Sequence, residues 1–265
     1  MKYDILEQFK GYVYEHTKSP NTARKYYSSV KMVLSDLQFN MLQEITTEQL
    51  EQRLAAIKTK NEFSAAKNGL RLLKEYDPDL PIPDESFFSD TSIGKRNHRR
   101  KADPIYIDTV KRKVNQIADK KLKLAYRLAM ISGLRVSELE ELTPEDIAFL
   151  DSGKIVVNVR KGKGGKAGKV NCMEDSYVYT ELQAMVSMAD SKQPLFYSQE
   201  KMRKNANKLG LECHDFRRMY AYIHKKQLKK SGMSNYKANK VIQGNLRHSR
   251  YKTTKRYLYG KKFVE

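Results

Sequence analysis

A mainly helical chain with one small antiparallel sheet, organised as two domains, is what this sequence predicts. Three observations carry that expectation. Apolar residues recur at helical spacing over most of the chain. The period drops to two only in a short stretch, "KIVVNVRK" and "AGKVNCM". A segment with three prolines, followed by a basic run, separates two helical regions. The expected division is a helical domain over residues 1–84, a basic linker over 85–104 and a second domain over 105–265.

Taken in order, residues 1–76 read as helices. "SPNTARKYYSSVKMVLSDL" opens on Ser19-Pro20-Asn21, a helix start, and Tyr26, Val30, Val33, Leu34 and Leu37 follow at helical spacing. "TTEQLEQRLAAIK" has a Thr cap with Glu48 in its first turn. "FSAAKNGLRLLKEY" puts Ala66, Leu70 and Leu73 on one face, and "DPDLPIPDESFFSD" then reads as linker. A second helical region starts near Asp108. "KLKLAYRLAMISGLRVSELEEL" has the pattern of a mostly buried helix interrupted at Gly133, and "TPEDI" offers a helix start or tight turn. The two strands follow, joined by the Gly/Lys turn "KGKGGKAGK", and the pattern after Asp175 is helical again.

Composition narrows the function. The chain has 265 residues, with 51 Lys+Arg against 31 Asp+Glu and a formal net charge of +20. The whole excess lies after residue 90, which points to a polyanion as partner. No apolar run approaches the ~18 residues that span a bilayer. The acidic, aromatic N-terminus is unlike a signal peptide. Cys172 and Cys213 make no disulfide framework, and two Cys and five His without ligand spacing predict no metal site. A reduced, cytoplasmic protein is expected, without a membrane role, because the cations do not form one amphipathic helix.

Four stretches concentrate cations and proton carriers: "SGLRVSEL" with Arg135, "KGKGGKAGK" with Lys163, "HDFRR" with His214 and Arg217, and "RHSRYKTTKRYLYG" with His248 and three tyrosines. Each alone has a plain structural reading, and the Gly/Lys turn lacks the order of a Walker A loop. Together they gather cations around side chains that can carry or lose a proton. Two arginines present rigid forks to phosphate oxygens, and nearby cations favour a tyrosine phenolate. Tyr257 and Tyr259 lie about 200° apart on a helix, so both cannot face one phosphate.

In this order the four boxes resemble the catalytic domain of the tyrosine recombinases, the phage-integrase and Xer-type family. "ISGLRVSELEELTPEDI" is similar to the family's first arginine box, "GKGGK" to its lysine turn, "HDFRR" to its His-x-x-Arg box, and "HSRYKTTKRY" to its closing His and Thr-Thr-x-x-Tyr. The N-terminal region, with "SPNTARKYYSSV", resembles the family's core-binding domain.

The resemblance implies roles. Arg135 and Arg217 clamp the phosphate, and Tyr257 is the nucleophile forming a 3′-phosphotyrosyl bond. Lys163, with Lys161 as alternative, protonates the leaving 5′ oxygen. His214 is acid/base or orients the tyrosine, His248 donates to the phosphate, and Glu138 supports the arginines. It also implies a C-shaped clamp on double-stranded DNA and a homo-tetramer across two DNA sites, with no cofactor. Arg24 and Lys25 are expected on a DNA-facing side of the first domain, and Lys95, Arg96, Arg99 and Arg100 where the linker crosses the backbone. One departure is Arg247, where the family often has a small residue such as Gly. Two rival readings are relaxation of DNA as in type IB topoisomerases, and sequence-specific DNA binding without catalysis.

Overall fold

The computed structural model of the chain describes residues 2–96, 103–162 and 167–265, with the backbone alone for 2 and 3. It is mostly helical with one small antiparallel sheet, and it divides into two compact units, Met1–Arg100 and Lys101–Glu265.

The first unit holds α1 (Lys2–His16), α2 (Pro20–Val33), α3 (Thr47–Ala56), α4 (Lys60–Tyr76) and α5 (Glu85–Ile93). Local chemistry sets the helix starts. Ser19 Oγ accepts from the Thr22 amide with Pro20 in the first turn, and Thr46 and Gln49 form a reciprocal capping box. Phe9, Val30, Leu50, Leu70 and Phe88 fill the core. The helices α2 and α4 cross at Gly69, where a Cβ would lie 2.7 Å from Val30 Cγ2 and 2.9 Å from the Tyr26 carbonyl oxygen.

The expected linker does not start at residue 85. Asp84 caps α5, Phe88 packs edge-on against Phe63, and Glu85 pairs with Lys67 and Arg71. The three prolines end at Pro83, and the aromatic pair behind them has enough apolar surface to dock a short helix.

The second unit begins with β1 (Ile105–Tyr106), α6 (Ile107–Asn115), α7 (Lys120–Ser132) and α8 (Val136–Glu140). A sheet follows, made of β2 (Ile147–Phe149), β3 (Ile155–Val159) and β4 (Gly168–Asn171), antiparallel in the order β2-β3-β4. Val157 faces Ile147 on one side and Val170 on the other. The chain closes with α9 (Ser176–Met188), α10 (Gln199–Lys208), α11 (Cys213–Lys230), α12 (Asn235–Asn245), α13 (Tyr251–Tyr259) and β5 (Phe263–Val264). "TPEDI" is a single 3-10 turn at Pro144–Asp146 leading straight into β2. The pairing of β5 with β1 is parallel, and Phe263 stacks on Tyr222 of α11 at 4.3 Å.

The helices α7 and α11 form the centre of this unit. Nine of the thirteen residues of α7 are buried, and Tyr126 packs on Phe216 with ring centroids 4.9 Å apart. Gly133 ends α7 in the left-handed region with φ 67°, and a Cβ there would overlap the Tyr220 ring. Only glycine serves this turn. Among the described residues, no helix is long and apolar enough to cross a membrane, and no group of three His, Cys, Asp or Glu is placed to hold a metal ion.

Candidate active site

The turn after Gly133 launches the site. Leu134 is buried beneath it, and Arg135 precedes α8 with its guanidinium bonded to Glu138 Oε1 at 2.5 Å. Glu138 Oε2 accepts from the Arg135 amide at 2.8 Å. This short helix therefore fixes the arginine at both ends. Burial pulls the Glu138 carboxyl upward, but the charges of Arg247, Arg135 and Arg217 outweigh it and hold the group below the usual carboxylate value.

Arg217 rises from α11 and is fully buried. Its Nη1 donates to the Gly133 carbonyl, and its Nη2 donates to the Leu246 carbonyl and meets His248 Nε2 at 3.3 Å. Glu138 Oε2 lies 4.0 Å away. Burial and the Arg135 charge lower its pKa to about 10, so it is a cation at neutral pH. A guanidinium has donors only, so His248 Nε2 accepts and its proton sits on Nδ1, facing Thr254 Oγ1 at 3.0 Å. Thr254 is completely buried on α13.

Tyr257 follows Thr254 by three residues and so shares its face of the helix. The ring sits 5.0 Å from the His248 ring and 5.6 Å from the Arg217 guanidinium carbon. The hydroxyl lies 3.3 Å from His214 Nδ1. His214, at the start of α11, has its pKa lowered by burial first and then by Arg218 and Arg217. It is neutral at pH 7 and can accept a proton from the phenol. Tyr259 points elsewhere: it is 56 % exposed and its hydroxyl accepts from Lys225 Nζ at 2.6 Å. Tyr251 is exposed at the helix start.

Arg135, His214, Arg217, His248 and Tyr257 thus line one open cleft of about 750 Å³, with Glu138 buried beneath. Fixed cations and a tyrosine around a cavity of this size suit a phosphodiester: donors line the cleft, and a phenol stands beside a neutral imidazole. Lys163, Arg99 and Arg100 fall outside the described residues, while Lys161 is exposed at the start of the hairpin turn. In the first unit Arg24 and Lys25 are exposed on α2, and Lys25 borders a shallow groove with Tyr26, Ser64 and Asn68. Arg96 is exposed. Lys95 instead caps α3, donating to the Leu54 and Ala55 carbonyls at 3.0 and 2.6 Å with its ammonium over the Phe63 ring.

Sequence reasoning misses several contributors. Thr254 is only a spacing mark in the motif, yet it orients His248. Lys261 bonds Asp215 Oδ2 at 3.0 Å and ties the segment after α13 to the start of α11, beside His214. Arg203 lines the cleft from α10, and Arg247 reaches Glu138. Arg203 carries no signal but charge, which a chain this basic has everywhere, and Arg247 shows only as a departure from the family's pattern.

A profile of the phage integrase family matches residues 106–262, more than half of the chain. The chain belongs to that family, the tyrosine site-specific recombinases, enzymes that cleave and rejoin DNA. No curated protein sequence matches it. Among solved structures it is similar to a lambda integrase dimer bound to a COC′ core site, with TM-score 0.71 and 17 % identity, covering 99 % of this chain and 98 % of that one. It is also similar to a lambda integrase tetramer bound to a Holliday junction, with TM-score 0.67 and 16 % identity over 96 % and 76 %. The Tn1549 transposon integrase with transposon right end DNA gives TM-score 0.63 and 15 % identity over 96 % and 94 %.

Proposed function

We propose that this recombinase cuts duplex DNA with Tyr257 as nucleophile, through a 3′-phosphotyrosyl intermediate. One observation carries the reading: the Tyr257 hydroxyl stands 3.3 Å from a neutral His214 in the same cleft as Arg135 and Arg217. His214 takes the phenol proton as the phenolate oxygen attacks phosphorus. Arg135 and Arg217 hold the non-bridging oxygens as charge grows on them. The bond to the 5′ oxygen breaks, and Lys163 supplies that oxygen's proton. Attack of a 5′ hydroxyl on the phosphotyrosine reverses every step and rejoins the strand. His248 accepts from Arg217 through Nε2 and keeps that guanidinium in position.

The first unit, expected over residues 1–84 and running to Arg100 as a compact body, is the core-binding domain. Exposed Arg24, Lys25 and Arg96 contact DNA phosphates, and affinity falls steeply with salt. Four protomers act on two sites, by analogy with the lambda integrase tetramer on a Holliday junction.

The test works without knowing the target sequence. Wild type, Tyr257→Phe and Tyr259→Phe are expressed, the cells are lysed under denaturing conditions, and DNA covalently attached to protein is sequenced. An adduct at one recurring sequence in wild type and Tyr259→Phe, absent from Tyr257→Phe, is expected. An adduct that survives in Tyr257→Phe overturns the assignment.

A further inference from the structure

Arg247 is the only non-glycine residue with positive φ among the described residues, at 51°. Glycine adopts that backbone without strain and arginine does not. The side chain is 8 % exposed, and its Nε is buried with no hydrogen-bond partner. A strained backbone and an orphaned donor at one residue are both unfavourable, and a glycine would remove both. The side chain must therefore contribute something in return.

Its contact indicates what. Nη2 donates to Glu138 Oε2 at 2.5 Å, the oxygen that lies 4.0 Å from Arg217. Glu138 Oε1 is held by Arg135. Three guanidiniums thus surround one buried carboxylate, and the two that grip it closely are Arg135 and Arg247. Were Arg247 absent, Oε2 would have one cation left within reach besides Arg135, namely Arg217. A pairing there would draw Arg217 off the Gly133 and Leu246 carbonyls and from His248, and would cancel charge needed by a phosphate. With Arg247 present, the cluster keeps two net positive charges and Arg217 keeps its orientation.

We propose that Arg247 is a positioning residue for DNA cleavage: by occupying Glu138 Oε2 it keeps the carboxylate from capturing Arg217, and so keeps both phosphate arginines poised. This rests on the reading of Arg135 and Arg217 as the phosphate clamp.

The test uses the full chain and a nicked duplex bearing the sequence recovered from the wild-type adduct. The rate of adduct formation at saturating DNA, the affinity for that DNA and the thermal midpoint are measured for wild type, Arg247→Gly and Arg247→Lys, and the rate also for Arg247→Gly combined with Glu138→Gln. Arg247→Gly should still fold, because glycine suits the backbone and Arg135 still holds the carboxylate. Its thermal midpoint should be lower from the lost buried pair, and it should bind DNA like wild type. It should form adduct on the order of 100-fold more slowly, the effect of a misplaced catalytic group. Arg247→Lys should fall between, and added guanidinium ion should restore part of the Arg247→Gly rate. In the Glu138→Gln background the further loss should be much smaller, because no carboxylate remains to capture Arg217. A wild-type rate in Arg247→Gly overturns the proposal. So does weakened binding with an unchanged rate at saturation, or an equal loss in both backgrounds. No adduct from wild type overturns the reading on which it rests.

Discussion

Replacing Glu138 by glutamine removes the one negative charge beneath three guanidiniums while keeping the side chain's shape. The carboxylate is 1 % exposed, contacts Arg135 and Arg247 at 2.5 Å, and lies 4.0 Å from Arg217. Removing one partner of a buried ion pair costs about 3–5 kcal/mol, because the remaining charge is left uncompensated. A unit of this size shifts its midpoint about 2–4 °C per kcal/mol, so the loss is on the order of 10 °C. The effect has a pH signature. The folded-state pKa is below the ordinary 4.5, so the unfolded chain binds a proton first as pH falls. The wild-type advantage is therefore complete above pH 4.5 and fades as pH drops toward the folded value. Thermal proteolysis, with peptides from residues 105–265 quantified by mass spectrometry, reads this unit separately. Sulfate, which can occupy the cation cluster, should stabilise the variant more than the wild type. A midpoint change below about 2 °C at pH 7 would refute the argument that this carboxylate holds the cluster together.

Two further outcomes follow from the same geometry. His214 has a lowered pKa, so adduct formation should stay level as pH falls through 6.5, the ordinary histidine value, and decline only in more acid solution as the base is protonated. A single-turnover pH profile with its midpoint at or above 6.5 would count against His214 as the base. Gly133→Ala puts a Cβ into the Tyr220 ring at a backbone of φ 67°, which should cost on the order of 3 kcal/mol in urea unfolding and displace the carbonyl that anchors Arg217.

Much of this arrangement is legible in the sequence because it is local. The Ser19-Pro20 start, the break at Gly133 and the period-two strands each depend on residues within a few positions of one another. The expectation that Tyr257 and Tyr259 face apart is also local, and Tyr259 does turn to Lys225. What stays hidden depends on distant partners. The two-residue strands β1 and β5 come from opposite ends of the second unit and carry no periodicity of their own. The helix α5 is masked by the prolines ahead of it. Lys95 looks like a DNA contact from its basic neighbours, yet its partners are carbonyls 40 and 41 residues away. Arg247 is visible as a departure, but its meaning needs Glu138, 109 residues earlier.

The central claim is that Tyr257 carries the DNA. Wild-type adduct can be digested with nuclease to leave a short nucleotide remnant and then with trypsin, which releases the peptide from Tyr257 to Lys261. That peptide holds both candidate tyrosines, so fragment ions must locate the added mass. The account predicts a nucleotide on Tyr257 and none on Tyr259. A nucleotide on Tyr259, or on any residue outside this peptide, would contradict it.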